Sequence, residues 1–371
     1  MRWTLGSVVH GAATEPLRSS LLLRVTVALM VCGLVVLASA SHTQGSGVVL
    51  RQAAWMLLGV VGAIGIRQVS YQRWLDAAPL FYALALICLL CALAAGRLSH
   101  GATRWVALGP LSFQPAELGK LATVLCLARV LGDVVAGGAP LTGRAMLTAA
   151  VIGGVPMLLV FLQPDLGSAS VFLWITLVML WLAGLPVRYV LGGLLLAGAL
   201  APAGWHMLKD YQRARLLVFL DPHADPLGAG YTLIQSRIAI GSGGLWGKGW
   251  MAGTQNQLNF LPERHTDFIF SIVGEEWGFL GSVVLIGLFG WWLMRAWWVA
   301  GQIREAQGRL IIGGLAAWLG YHVVVNIGMT MGLLPVVGIP LPLISYGGSA
   351  VLITLMAVGI IESIHRWSPR F

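Results

Sequence analysis

The sequence predicts an all-α integral membrane protein, a polytopic bundle of about ten transmembrane helices with a long extracytoplasmic loop before the eighth. Three observations predict it. The chain of 371 residues is 58% hydrophobic and only 10% charged, with a mean hydropathy of +0.83, unlike any soluble domain. Apolar runs of about 20 residues recur along its length, each sufficient to cross the ~30 Å hydrocarbon core as a helix. Backbone groups in lipid must be satisfied within the segment, which favours helices, and the weak alternation with short turns that marks a membrane barrel is not seen.

The expected spans, in order, are 21–39, 51–67, 76–95, 117–135, 145–163, 168–185, 188–208, 268–299, 309–332 and 346–364. The first follows Arg18 and Arg24 and ends in Ala38-Ser39-Ala40, which resembles a signal-peptidase site. Spans follow it at once, so it reads as an uncleaved first helix. An even number of spans puts both termini on one side. The short loops of that side hold most of the arginines, among them Arg67, Arg73, Arg129, Arg144, Arg188, Arg304 and Arg309, whereas the short opposite loops hold Arg51, Arg97 and Arg104. By the positive-inside rule both termini are cytoplasmic. Segments 96–116, 163–168, 209–267 and 333–345 then face the periplasm, where Asp165, Asp210, Asp221, Asp225, Glu263 and Asp267 lie and ATP is absent.

The chain reads as one membrane domain, 1–371, with 209–267 as its large periplasmic loop. Pro222, Pro226 and the glycines of 241–249 break that loop into pieces, and 230–240 suits a short interfacial helix. Pro335, Pro340 and Pro342 make 333–343 a looping segment that must be shielded by protein. The net charge of +9 is spread one or two residues per loop, with no basic stripe interleaved with aromatics, so nucleic acid is not an expected partner. Cys32, Cys88, Cys91 and Cys126 lie in apolar segments. The Cys88-x-x-Cys91 spacing has no nearby histidine or second pair, so packing explains it better than a redox or zinc site.

Chemistry concentrates in Glu263-Arg264-His265-Thr266-Asp267, four ionisable side chains at the mouth of a long apolar run. A carboxylate there can be a general base if it reaches a substrate hydroxyl, or it can simply cap the helix that follows. Glu117 and Lys120, three apart, share a helix face. They form either a structural ion pair or a polar cavity in which Lys120 meets an anionic headgroup. Asp165, between Pro164 and Gly167, either caps the next helix or lines that cavity. Arg213 and Arg215 either anchor the chain to lipid phosphates or hold a pyrophosphate. The run 241–249 fails as a phosphate loop, because Ser242 and Gly249 stand where that motif needs glycine and a hydroxyl residue. Lys248 could still touch phosphate from it. At least one of Glu275 and Glu276 should face the bundle interior, and Asn326 needs a buried partner.

Taken in order, Arg104-Trp105, 113–120, 163–167, 210–213, 221–235, 240–249, 253–270 and 338–349 resemble the SEDS proteins, the shape, elongation, division and sporulation family. Arg264 before His265 and the run Gly253-Thr254-Gln255-Asn256-Gln257 resemble its elongation-type branch more than its division-type branch. His223 and Trp246 depart from the usual family residues. The resemblance implies a peptidoglycan glycosyltransferase of the bacterial inner membrane, active in cell elongation and shape maintenance. Such an enzyme polymerises lipid II, a disaccharide-pentapeptide on undecaprenyl pyrophosphate, into β-1,4 glycan by one inverting displacement.

By the same resemblance Asp267 is the general base and His265 lies beside the substrate. Lys120, Arg213, Arg215 and Lys248 counter the charge of the leaving pyrophosphate, and a divalent cation, magnesium or manganese, can assist them. Glu117 and Asp165 set the charge balance. The implied partners are a class B penicillin-binding protein transpeptidase, other proteins of the elongation complex, lipid II with the nascent glycan strand, and membrane lipids. Two other functions compete. A lipid II flippase would use Glu117, Lys120 and Asp165 to line a translocation path, and a scaffold would need none of these charges.

Overall fold

The computed structural model describes residues 16–42, 45–95, 97–99, 102–108, 111–138, 140–208, 210–228 and 230–368. Each of the ten expected spans falls on a helix: α1 (Pro16–Ala40), α2 (Gly47–Gln68), α3 (Tyr71–Ala95), α4 (Pro115–Ala136), α5 (Gly143–Leu162), α6 (Leu166–Leu182), α7 (Val187–Met207), and, after the long loop, α11 (Ile269–Gln302), α12 (Ala306–Met331) and α13 (Gly348–Trp367). Among the described residues, seven helices are long and apolar enough to cross a membrane, namely α1, α2, α3, α5, α11, α12 and α13. Helix α6 is equally apolar but shorter, and α4 carries Glu117, Lys120, Arg129 and Asp133. The protein is therefore a multi-pass membrane bundle with several long apolar helices, seven of them among the described residues long and apolar enough to span.

Helix α12 is apolar on every side and buried on nearly every side, as expected of a helix at the centre of a bundle. Helices α2 and α13 approach closely, because a Cβ on Gly59 would meet Leu355 and one on Gly359 would meet Ala63. The outward faces of α2, α3 and α5 expose Leu57, Val61, Leu80, Ile87, Leu147 and Val151, an exterior suited to lipid.

The bundle is not wholly helical. Segment 96–116 contains three strands, β1 (Arg97–Ser99), β2 (Ala102–Leu108) and β3 (Leu111–Phe113), paired antiparallel in the order β1-β2-β3. Thr103, Trp105 and Val106 suit a strand. A run this short gives little periodic signal beside spans of 20 residues.

The 209–267 loop is largely helical. It holds α8 (Asp210–Leu220), a 3-10 turn (Pro222–Ala224), α9 (Tyr231–Ser242) over the expected interfacial helix, and α10 (Thr254–Gln257). Its glycine-rich part is largely exposed, yet its backbone pairs with a helix. Helix α11 is broken at Gly278, where φ is +67° and ψ −161°, a left-handed backbone that glycine adopts without penalty. The break frees the carbonyls of Glu275 and Glu276 and the N–H groups of Phe279 and Leu280. Lys248 and Gly249 donate their N–H groups to those carbonyls at 3.0 Å, while Phe279 and Leu280 donate to Gly244 at 2.8 Å and Leu245 at 3.2 Å. The loop thus replaces the two missing helical bonds, satisfying backbone groups that would otherwise be stranded beside lipid.

Both glutamates before the break are buried, and both hold the loop. The Glu275 carboxylate accepts from Lys248 Nζ at 2.7 Å, Gln255 N at 3.0 Å and Thr254 Oγ1 at 3.1 Å. The Glu276 carboxylate accepts from Ser39 Oγ at 2.5 Å, Met251 N at 3.1 Å and Asn256 Nδ2 at 3.2 Å.

Candidate active site

At the mouth of α11, Asp267 does not cap the helix. Phe268 is the N-cap residue and the helix has no side-chain cap bond. Asp267 instead lines a cavity of about 210 Å3 with Arg215, Glu263, Thr232, Pro262, Phe268 and Val336, among others. A narrower cavity of about 20 Å3 adjoins it, sharing Arg215 and Val336 and adding Arg104, Gln212 and Pro335. The larger space is below the usual size of a small-molecule pocket, so it suits the reacting ends of a large substrate rather than its whole body.

Burial pushes the Asp267 carboxyl up to about 6, and the Glu263 carboxylate adds to the rise. Arg215 and Arg104 pull it down, and Asp165 pushes it up. A carboxylate near this value is ionised at neutral pH yet basic enough to take a proton. Its backbone is fixed from behind, because the Asp267 carbonyl accepts from Asn326 Nδ2 at 2.9 Å. Asn326 thereby finds the partner its burial demands, and it also donates to Ile339 O at 2.7 Å. Gly338, at φ +71°, lies against the carboxylate, where a Cβ would stand 3.2 Å from Oδ2.

The proline-containing segment after α12 closes the other side. Ser345 Oγ donates to Thr266 O at 2.6 Å, and Tyr346 N donates to His265 O at 2.8 Å. The His265 ring sits 6.0 Å from the Tyr346 ring. Burial lowers its pKa, so it is neutral at pH 7. Arg264 is buried and ties this corner to α1 and α10 by donating to Ala40 O at 2.8 Å, to Asn256 O at 2.9 Å and to Asn259.

The other expected site residues divide. Asp165 caps α6 through Ser168 N at 3.0 Å and lies 3.7 Å from Arg104 Nε, so the capping reading holds and its charge partner is Arg104 rather than Lys120. Arg104 donates to Pro164 O as well, which brings the sheet to the mouth of α6. Arg213 caps the end of α7 through Trp205 O at 3.0 Å and His206 O at 2.9 Å. Lys248 is committed to Glu275 and to Thr254 Oγ1 at 2.8 Å. Glu117 and Lys120 are almost fully buried and form an ion pair at 2.6 Å. They lie inside the bundle, and neither lines the Asp267 cavity. Lys120 Nζ also meets His322 Nε2 at 3.2 Å.

The structure therefore brings Asp267 and Arg215 to one cavity wall, with Asp165 behind Arg104. It keeps Glu117, Lys120 and Lys248 in side-chain pairs elsewhere. Sequence reasoning singles out Glu263 within its cluster but gives no role to Gly338 or His322. His322 gave no signal, being one histidine in an apolar span. Among the described residues no three His, Cys, Asp or Glu side chains converge as metal ligands.

A helical membrane bundle with a raised carboxylate and arginines at one shared cleft defines a class, the membrane-embedded enzyme acting on charged lipid-linked substrates. The comparisons make the class specific. The FtsW/RodA/SpoVE family, described as "Cell cycle protein", matches residues 19–369. Peptidoglycan glycosyltransferase MrdB of Escherichia coli K12 is 44% identical over 93% of this chain and 92% of its own, and peptidoglycan glycosyltransferase RodA of Treponema pallidum is 34% identical over 85% and 89%. The crystal structure of the Thermus thermophilus rod shape determining protein RodA superposes with a TM-score of 0.71 at 33% identity, over 94% of this chain and 97% of that one. A chain from a structure titled "Structural coordination of polymerization and crosslinking by a peptidoglycan synthase complex" does so at 0.81 and 39% identity, over 94% and 98%. The chain belongs to the FtsW/RodA/SpoVE family.

Proposed function

We propose that Asp267 is the general base of this peptidoglycan glycosyltransferase. Its carboxylate takes the proton of an acceptor 4-hydroxyl as that oxygen attacks the anomeric carbon of a lipid II donor. The new β-1,4 bond forms as the bond from the anomeric carbon to the pyrophosphate oxygen breaks, and undecaprenyl pyrophosphate leaves. One displacement inverts the α-linked donor. Arg215 and Arg104, at the adjoining cavity walls, stabilise the charge that develops on the leaving pyrophosphate. Arg213, two residues before Arg215 on α8 and bonded to the carbonyls that end α7, would meet incoming headgroups from outside the cavity. Glu117, Lys120 and Lys248 act through the fold that holds the cleft. A divalent cation carried by the pyrophosphate would add to the charge that the arginines supply.

The observation that carries the proposal is the Asp267 carboxylate, uncapped, raised by burial to about 6 and aimed into a cavity shared with Arg215. In this orientation the cleft faces the periplasm and both termini the cytoplasm. The solved neighbour whose title joins polymerisation to crosslinking supports a transpeptidase partner, a class B penicillin-binding protein, within an elongation complex. The flippase reading needs an aqueous path past Glu117 and Lys120, yet these are packed, paired with each other and almost fully buried. Purified protein with its transpeptidase partner and labelled lipid II tests the assignment. Wild type should give a glycan ladder and Asp267→Ala none, and a normal ladder from the variant would remove Asp267 from the chemistry.

A further inference from the structure

We propose that His322 is a positioning residue for Asp267, holding the segment that walls the carboxylate through a hydrogen bond from its Nδ1–H to Pro340 O. This rests on the reading of Asp267 as the base. His322 is buried on α12, four residues before Asn326 and so on the same helix face. The two side chains grip consecutive carbonyls of one segment. Asn326 Nδ2 holds Ile339 O at 2.7 Å and Asp267 O at 2.9 Å, and His322 Nδ1 lies 3.3 Å from Pro340 O. Gly338, immediately before these carbonyls, packs against the Asp267 carboxylate. Movement of 338–340 by an ångström would change the space in which the acceptor hydroxyl meets its base.

The chemistry of the neighbours fixes the imidazole tautomer. Trp318 Nε1, which can only donate, points at His322 Nε2 from 3.0 Å. Lys120 Nζ approaches the same nitrogen at 3.2 Å and is itself paired with Glu117 at 2.6 Å. Two donors at Nε2 make that nitrogen the acceptor, which leaves the proton on Nδ1, facing Pro340 O. The buried ion pair therefore has a task beyond joining two turns of α4. It holds His322 neutral, in one tautomer and one orientation, and the proline segment follows. This places Glu117 and Lys120 in the catalytic apparatus without contact to substrate.

Two conservative variants separate the ends of the ring. In His322→Gln the side-chain amide reaches the place of Nε2, serving Lys120 and Trp318, but leaves Pro340 O without its donor. In His322→Asn the amide sits at the place of Nδ1 and restores that donor. Each is purified, checked by thermal unfolding and assayed with labelled lipid II over a range of concentrations, beside wild type and Asp267→Asn. The expected result is a 10- to 100-fold lower kcat for His322→Gln, on the order of the effect of an ångström misplacement, with KM unchanged. His322→Asn should recover most of that loss at equal thermal stability. A wild-type rate in His322→Gln, an equal loss in both variants, a loss confined to KM, or failure of both to fold would each overturn the proposal. Polymerisation by Asp267→Asn would instead overturn the assignment of the base, whatever His322 does.

Discussion

Asp267 is a carboxylate kept where ionisation is unfavourable, and its surroundings set how far. Burial dominates, Glu263 adds to it, Asp165 contributes a smaller push, and Arg215 and Arg104 oppose them. A base must be ionised, so polymerisation should fall as pH drops through about 6. Glu263→Gln removes a negative neighbour and should move that acid limb to lower pH. Arg215→Gln removes a positive one and should move it to higher pH. A limb unmoved by both variants, in initial rates measured across pH, would assign it to another group. Stability runs the other way. The carboxyl sits near 3.8 in the unfolded chain and about 6 in the fold. In the window between, the folded protein holds a proton that the unfolded chain has released, so stability falls as pH rises through it. Asp267→Asn, inactive, should therefore be more stable than wild type at pH 7, by on the order of 1–3 kcal/mol, as read by thermal unfolding in detergent. A less stable variant would contradict the raised value. The sequence points to Asp267 because a charge at the mouth of an apolar run stands out. It cannot tell base from cap, because that turns on where the carboxylate aims.

Among the elements, the break in α11 is the feature that the sequence concealed. The positions of the long helices are legible as apolar runs, seven of them long and apolar enough to span, and the proline-containing segment after α12 is legible from Pro335, Pro340 and Pro342. Gly278 looks like any other glycine in an apolar run, and nothing in 241–249 says that its backbone completes another helix. The bonds crossing from 244–249 to 275–280 join residues 27 or 35 apart in sequence, which local patterning does not encode. The small sheet escaped notice for a related reason, since β1 and β3 are each 3 residues long. Gly278→Ala should be destabilising, because a left-handed φ is strained in any residue with a Cβ and that atom would meet Gly247 N. The expected loss is about 1–3 kcal/mol, read by thermal unfolding, with faster amide exchange at Lys248 and Gly249. Unchanged exchange there would mean that the loop pairing does not depend on the break.

At the scale of the whole molecule, three separate parts of the chain meet at one end of the bundle. The long loop brings Arg215 and Glu263, the strands and the mouth of α6 bring Arg104 and Asp165, and the proline segment brings Gly338 and the carbonyls that α12 grips. Lys120 of the Glu117–Lys120 ion pair meets His322 on α12, a contact between helices that is invisible in a linear chain. Much of the bundle exterior is apolar, a surface suited to lipid. A polymerase built this way joins two substrates at one carboxylate, and that carboxylate decides the account. The most direct test is glycan-ladder formation from labelled lipid II by wild type and Asp267→Asn with the transpeptidase partner present, from about pH 5 to about pH 8. The account predicts a wild-type ladder that fades below about pH 6 and none from the variant at any pH, although the variant is folded and still binds the partner. A variant ladder of wild-type length would contradict it.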